Sequence, residues 1–288
     1  MTLSCDCHVH VFDPGRYPYS PVRKFTPGTA SADQLARYLD QAGMARVVLV
    51  QPSVYGADNR CLVDALARLG GRARGVAVVS PDASAHELQA LTAAGVVGAR
   101  LNRVVQRSDD AAEALSAVAL LDAALPEAWH LQLHVSLGVL AGLSSAIARS
   151  RRRFVLDHLG LPAMAEGTRA PLWQQMLTLV KSGQLCVKLS GPYLSSTAGP
   201  PYADLRSFVE SLAQTNPEGM VWGSNWPHTQ GVHRREGALL SDVEPFRAED
   251  PAVWPEACAR WLGHDLHARL HRNAAELYGF PQEGGFSP

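Results

Sequence analysis

The sequence predicts an α/β chain folded as a (β/α)8 TIM barrel, and three observations predict it. Apolar runs of strand length alternate with helical patterns from one end to the other. Eight such units fit within 288 residues, the usual size of one closed barrel. No GxGxxG follows the first run, which removes the main sequence reason to prefer a dinucleotide-binding open sheet. Strands are expected near residues 4–10, 46–52, 74–80, 96–102, 129–135, 153–158, 185–190 and 219–224. Helices are expected near 31–43, 58–69, 84–94, 109–125, 137–149, 171–182, 202–214 and 251–278. A helix between successive strands returns the chain to the same end of the sheet, so the strands should be parallel. No low-complexity linker interrupts the rhythm, and residues 1–288 read as one domain.

Composition narrows the function classes. Hydrophobic residues make up 47% and charged residues 18%, an ordinary globular balance. A formal net charge of −1 gives no electrostatic footprint for nucleic acid or an anionic membrane. The first residues lack the pattern of a signal peptide, and no apolar run is long enough to span a bilayer. Five scattered cysteines form no disulfide framework, so a reduced, cytoplasmic setting is expected.

Two loops break the βα rhythm. Residues 11–30 follow strand one and residues 226–250 follow strand eight, and both leave the C-terminal ends of strands that are neighbours in a closed barrel. Long loops at that face are expected to shape a pocket or lid.

Side chains alternate along a strand, so parity sorts barrel interior from helix-facing exterior. In strand one Asp6, His8 and His10 share the parity expected to face in, which turns Cys5 and Cys7 toward the helix layer as small core residues. Strand two ends in Gln51 and Ser53, and strand four offers Arg100 and Asn102. Strand five puts His130, Gln132 and His134 opposite Leu131, Leu133 and Val135. Strand six ends in His158, strand seven carries Lys188 and Ser190, and strand eight ends in Gly223 and Asn225. Barrel interiors are normally filled by branched apolar side chains, so this many inward polar groups point to a site. His8 and His10, two residues apart on one face, can reach a common point, the geometry for a metal or a substrate carboxylate. His130 reads as a structural histidine. Arg100, Arg103 and Arg107 lie at the end of strand four and in its outgoing loop, where a guanidinium suits a substrate acid group; Asp6 is an alternative, structural partner for Arg100. Arg149, Arg151, Arg152 and Arg153 precede strand six on the opposite rim and read as a solvated surface patch.

The motifs DCHVHVFDP (6–14), VRKFTP (22–27), VLVQPSVYGADNRCLVDAL (48–66), GARLN (98–102), LDHLG (156–160), VKLSGPY (187–193), VWGSNWPHT (221–229) and NAAELYGF (273–280) together resemble the amidohydrolase-related lactonases, the group typified by 2-pyrone-4,6-dicarboxylate lactonase. The resemblance spans nearly the whole chain. It implies a barrel hydrolase that opens cyclic esters of sugar acids or aromatic-degradation intermediates, with a few isomerases among its relatives. His8 and His10 match the strand-one HxH and His158 the strand-six histidine. His134 falls where the pyrone lactonase has a tyrosine. Arg100 matches an arginine that grips substrate carboxylate, and Ser53 a binding position. Tyr55, Asn102, Tyr193 and His228, within the same motifs, are expected to line the substrate site. Two departures matter. The strand-eight aspartate expected to activate water is Asn225, which cannot take a proton at neutral pH. The group's loop tyrosine is Phe25, and its strand-seven arginine has only Tyr193 or Leu194 nearby, which argues against a dicarboxylate.

The first expectation is therefore a carboxylate-bearing lactone opened by water, with His158 and His8 or His10 polarising the carbonyl and His134 the substitute base for Asn225. The alternatives are a lactone isomerase or decarboxylase on the same barrel, or a barrel that only binds an organic acid. No cofactor is expected. Zinc on His8, His10 and His158 is the metal to consider, but the missing strand-eight carboxylate weakens that site. A homo-oligomer is compatible with the sequence.

Overall fold

A computed structural model describes residues 4–106, 108–230, 237 and 239–281. Eight parallel strands lie in sequence order: β1 Cys5–Val9, β2 Arg46–Val50, β3 Ala73–Ala77, β4 Val96–Asn102, β5 His130–His134, β6 Phe154–Leu156, β7 Leu185–Leu189 and β8 Met220–Trp222. The chain leaving β8 closes the barrel. Asn225 N donates to His8 O at 2.9 Å, His10 N donates to Trp226 O at 2.8 Å, and Val9 bridges Trp226 in parallel. Around the strands run α1 Ala32–Gln41, α2 Arg60–Leu69, α3 Ala85–Ala93, α4 Ala111–Ala124, α5 Leu137–Arg149, α6 Pro171–Lys181, α7 Arg206–Thr215 and α8 Val253–Tyr278. Every strand and helix expected from the periodicity is present.

Local chemistry starts these helices where the sequence says it should. Ser31 and Gln34 form a reciprocal capping box at α1, and Ser84, Asp110 and Ser136 each accept a first-turn backbone N–H at α3, α4 and α5. Each such cap contributes about 1 kcal/mol. Pro171 opens α6, where its missing N–H costs nothing.

The apolar core has two compartments. Outward-facing strand residues such as Val47, Leu49, Leu131, Leu133, Leu156 and Val187 pack against the helices. A smaller cluster of Cys5, Cys7, Val48, Val50, Val76, Val155, Cys186 and Val221 fills the barrel floor, plugged by Tyr278 and Phe280 from the end of the chain. Gly98 makes room for the His130 ring, since a Cβ there would lie 2.3 Å from it.

Three expectations are corrected. Cys5 and Cys7 face the barrel interior, not the helix layer. The cause is a register shift: Asp6 pairs with Val47 but Val9 with Leu49. Such a bulge places one extra residue in a strand and resets its parity. Cys5 and Cys7 are therefore inside below the bulge, and His8 and His10 inside above it. Asp6 does not meet Arg100. Its Oδ1 accepts from the N–H groups of His8 (3.2 Å) and Ser224 (2.9 Å), while Arg100 is paired with Asp157. Arg152 is not solvated. Its guanidinium donates to the carbonyls of Asp122, Leu125, Pro126 and Trp129 and to the Asp122 carboxylate, tying the end of α4 to the start of β5.

The two long loops meet. Thr26–Pro27 and Val243–Glu244 pair as a short parallel ribbon, and the Arg23 and Thr26 side chains donate to Leu240 O. The loop after β1 is thereby stitched to the loop after β8 across the barrel mouth. No helix among the described residues is long and apolar enough to cross a membrane.

Asp6 supplies a test of this packing. Burial pushes its carboxyl up to about 6, against the opposing pull of Ser224, the His8 N–H and Lys188. The folded state thus holds a proton that the unfolded state, with a value of 3.8, releases. That contribution is complete below pH 4 and is lost as pH rises toward 6, on the order of 3 kcal/mol in full. Asp6→Asn should raise the Tm at pH 8 by a few degrees, with the gap closing toward pH 4. A variant less stable than the parent at pH 8 would show that the carboxylate's charge is needed.

Candidate active site

The C-terminal ends of the strands gather four imidazoles. The rings of His8 and His10 are 4.9 Å apart, those of His8 and His158 4.6 Å, and those of His134 and His158 4.9 Å. Above them opens a cleft of about 580 Å³, counted out to open solvent. Its polar wall includes His10, Ser53, Arg100, Asn102, His134, His158 and Asn225, and its apolar wall includes Phe12, Phe25, Val104, Leu161 and Leu194.

Asp157 lies at the centre of the charge network beneath the cleft. Its Oδ2 accepts from Nε of Arg100 at 2.9 Å and has Nη2 of the same guanidinium 2.9 Å away. Its Oδ1 faces His8 Nδ1 at 3.3 Å and Lys188 Nζ at 3.9 Å. Burial alone would raise this carboxyl, but Arg100, His8 and Lys188 outweigh it and hold it well below the usual range. Asp157 is a fixed anion and a poor base. Lys188 is wholly buried; its ammonium donates to Gln132 Oε1 at 2.7 Å and Cys7 O at 2.8 Å. Burial holds it down to about 8, against the pull of Asp157.

The donors around each imidazole assign its proton. Arginine can only donate, so Arg100 Nη2, 3.1 Å from His134 Nδ1, makes that nitrogen the acceptor and leaves N–H on Nε2. No partner for His134 Nε2 exists among the described residues. His10 Nδ1 donates to Val50 O at 2.8 Å. His158 Nδ1 lies 3.0 Å from Ser190 Oγ, and a donated bond there leaves its Nε2 lone pair free. Burial, then the charges of Arg100 and Lys188, hold His158 down to about 4. It lowers His10 to about 3 and keeps His8 and His134 well below the usual value. All four are neutral at neutral pH.

Backbone conformation positions the rest. His158 (φ 53) and Asn225 (φ 66) occupy the left-handed region that most side chains avoid and that Asn and His enter more readily than others. The turn at His158 lets two successive residues, Asp157 and His158, both point inward. Gly191 (φ 55) lies beside them; a Cβ there would come within 3.0 Å of His158 Nδ1 and Asn225 Nδ2. Asn225 Nδ2 donates to Tyr193 Oη at 2.8 Å, Tyr193 donates to Thr229 O at 3.1 Å, and Asn225 Oδ1 has no partner among the described residues.

Of the residues expected from sequence, His10, Ser53, Arg100, Asn102, His134, His158 and Asn225 line the cleft, and His8 lies directly beneath it. Tyr55 stands off, its hydroxyl accepting from Asp13 N at 2.8 Å. Tyr193 and His228 sit behind Asn225, with rings 6.2 Å apart. Arg103 turns away to Gln106 and Ser108, and Arg107 lies outside the described residues. Asp157 was missed because alternation sends the neighbour of an inward His158 outward. Val155, two residues earlier on the inner face, was the available signal.

Zinc is the metal that the sequence raises. His8, Asp157 and His158 each bring one donor atom within 4.8 Å of the others, but they do not fit a dication as they stand. Both Asp157 oxygens already face Arg100, His8 and Lys188, two cations press on one carboxylate, and no free anionic ligand remains in the cleft wall.

Residues 5–280 match the family model described as Amidohydrolase. The 2-pyrone-4,6-dicarboxylate hydrolase of Comamonas testosteroni is 35% identical over 84% of this chain and 83% of its own. The D-galactarolactone isomerase of Agrobacterium fabrum is 30% identical over 95% and 90%. Among solved structures, a probable 2-pyrone-4,6-dicarboxylic acid hydrolase from Acinetobacter baumannii with citric acid bound superposes with a TM-score of 0.74 at 26% identity, covering 97% of this chain and all of that one. With an eight-stranded parallel barrel, histidines at its strand ends and a family match from the first strand to the last helix, this chain belongs to the amidohydrolase family, among its lactonase-like members.

Proposed function

We propose that the chain catalyses acyl transfer at the carbonyl of a carboxylate-bearing lactone, with a hydroxyl of the substrate as nucleophile, so that one lactone is converted into its isomer. The observation that carries this reading is Asn225 at the strand-eight position where a base is expected, combined with an Asp157 that Arg100, His8 and Lys188 hold as an anion too weakly basic to take its place. Histidine must then move the protons. His158 Nε2 takes the proton of the attacking hydroxyl, the hydroxyl oxygen bonds to the carbonyl carbon, and His134 Nε2–H donates to the oxygen that becomes negative. The old ring C–O bond breaks, and its alkoxide recovers the proton from His158. Arg100, on the cleft wall, faces the acid group.

A tethered nucleophile suits so weak a base. Intramolecular attack has an effective molarity of about 10⁵–10⁸ M, whereas a positioned general base contributes about 10²–10⁴-fold. The first can therefore replace the second. The isomerase relative supports this reading; the hydrolase relative supports a second one, in which water attacks instead.

Two outcomes test it. The protein should interconvert lactone isomers, followed by NMR, with little acid released, and Asn225→Asp should raise acid release by about 10²–10⁴-fold. Rapid hydrolysis by the parent protein, slowed in Asn225→Asp, would reject the assignment. The pH profile is the other test. His158 acts as the neutral base and is held down to about 4, so kcat/KM should stay flat from pH 7 to 5 and fall only toward 4. An acid limb near 6.5, with the fold intact by circular dichroism, would exclude His158.

A further inference from the structure

Lys188 is a buried cation that the proposed chemistry does not use. Its third N–H points to His8 Nδ1 at 3.5 Å, and His8 Nε2 lies 3.3 Å from His10 Nε2. An ammonium only donates, and Asp157 Oδ1, 3.3 Å from the same nitrogen, makes no hydrogen bond there, so His8 Nδ1 accepts from Lys188 and the His8 proton sits on Nε2. That proton is donated to His10 Nε2, whose ring donates from Nδ1 to Val50 O. Lys188, His8, His10 and Val50 thus form one chain of hydrogen bonds running in a single direction. It consumes both nitrogens that an HxH pair would offer to a metal.

We infer that Lys188 keeps this histidine pair metal-free, by charge and by fixing the His8 tautomer. Two imidazoles on a tetrahedral zinc at about 2.0–2.1 Å have donor atoms about 3.3–3.4 Å apart. The His8–His10 spacing therefore already suits zinc, and a proton occupies the gap instead. Without the ammonium, His8 Nδ1 has one polar neighbour in this direction, Asp157 Oδ1 at 3.3 Å. Its proton moves to Nδ1, both Nε2 lone pairs face the gap, and Asp157 becomes the carboxylate behind a metal-binding histidine. Removal of a unit charge so close to a dication favours binding further.

The test is zinc binding by the full chain, stripped with chelator, using the metal alone. The parent protein should retain far less than one zinc per chain after dialysis. Lys188→Met should retain roughly one, bind at least about 100-fold more tightly, and show the visible absorption of tetrahedral cobalt when loaded with Co²⁺. Adding His10→Ala to that variant should abolish the gain. If Lys188→Met does not fold by circular dichroism, Lys188→Gln, also uncharged, is read in the same way. A parent protein that holds one zinc tightly would overturn the inference. So would a folded, uncharged variant that binds no better than the parent, or a gain that survives His10→Ala. None of these readouts depends on turnover, so the inference stands or falls apart from the proposed reaction.

Discussion

The barrel mouth depends on the pairing of Arg100 with Asp157. Neither residue could be buried alone, because an isolated charge in a protein interior costs several kcal/mol or more. Together, with two guanidinium nitrogens on Asp157 Oδ2, they form a fixed dipole under the cleft. The same guanidinium reaches His134 Nδ1 and so decides which nitrogen of that ring carries hydrogen. The other Asp157 oxygen draws Lys188 toward His8. One ion pair therefore orients two of the four histidines through donors that cannot act as acceptors.

Closure of the barrel and construction of the site are the same event. The backbone bonds that join β1 to the chain beyond β8 are those of His8 and His10 with Asn225 and Trp226. Asn225 carries its left-handed backbone at this seam, a conformation that asparagine tolerates better than most side chains. The short ribbon between the loops after β1 and β8 closes over the same seam. Any substitution that loosens the seam should move His8, His10 and Asn225 together.

Much of this was legible in the sequence because barrel strands repeat simple patterns. β5 could be read directly: His130, Gln132 and His134 alternate with Leu131 and Leu133, and no irregularity disturbs them. β1 could be read only in part. His8 and His10 were placed correctly, but the bulge between Asp6 and Val9 reversed the faces of Cys5 and Cys7, and bulges leave no mark in a five-residue strand. Asp157 was hidden by the positive φ of His158, a backbone state that alternation does not anticipate. Arg152 looked like one member of a basic run, yet the carbonyls at the end of α4 drew it in. Tyr55 lay in a matching motif, but a motif fixes its place in the chain and not its direction, and its hydroxyl caps Asp13 N.

The charge count of the mouth connects the proposed substrate to the absence of a fitting metal site. Arg100 and Lys188 share Asp157, while Asp6, the next carboxylate, lies beside Val47 on the helix-facing side of β1. At contact distance the pocket therefore carries one positive charge in excess. A dication would add to that excess, whereas the acid group of a lactone would cancel it. The four histidines stay neutral beside these cations because burial and positive neighbours both oppose their protonation. Neutral imidazole is the form that can accept a proton at one nitrogen while donating from the other. The excess charge that favours an anionic substrate is thus the same charge that keeps its proton carriers ready for use.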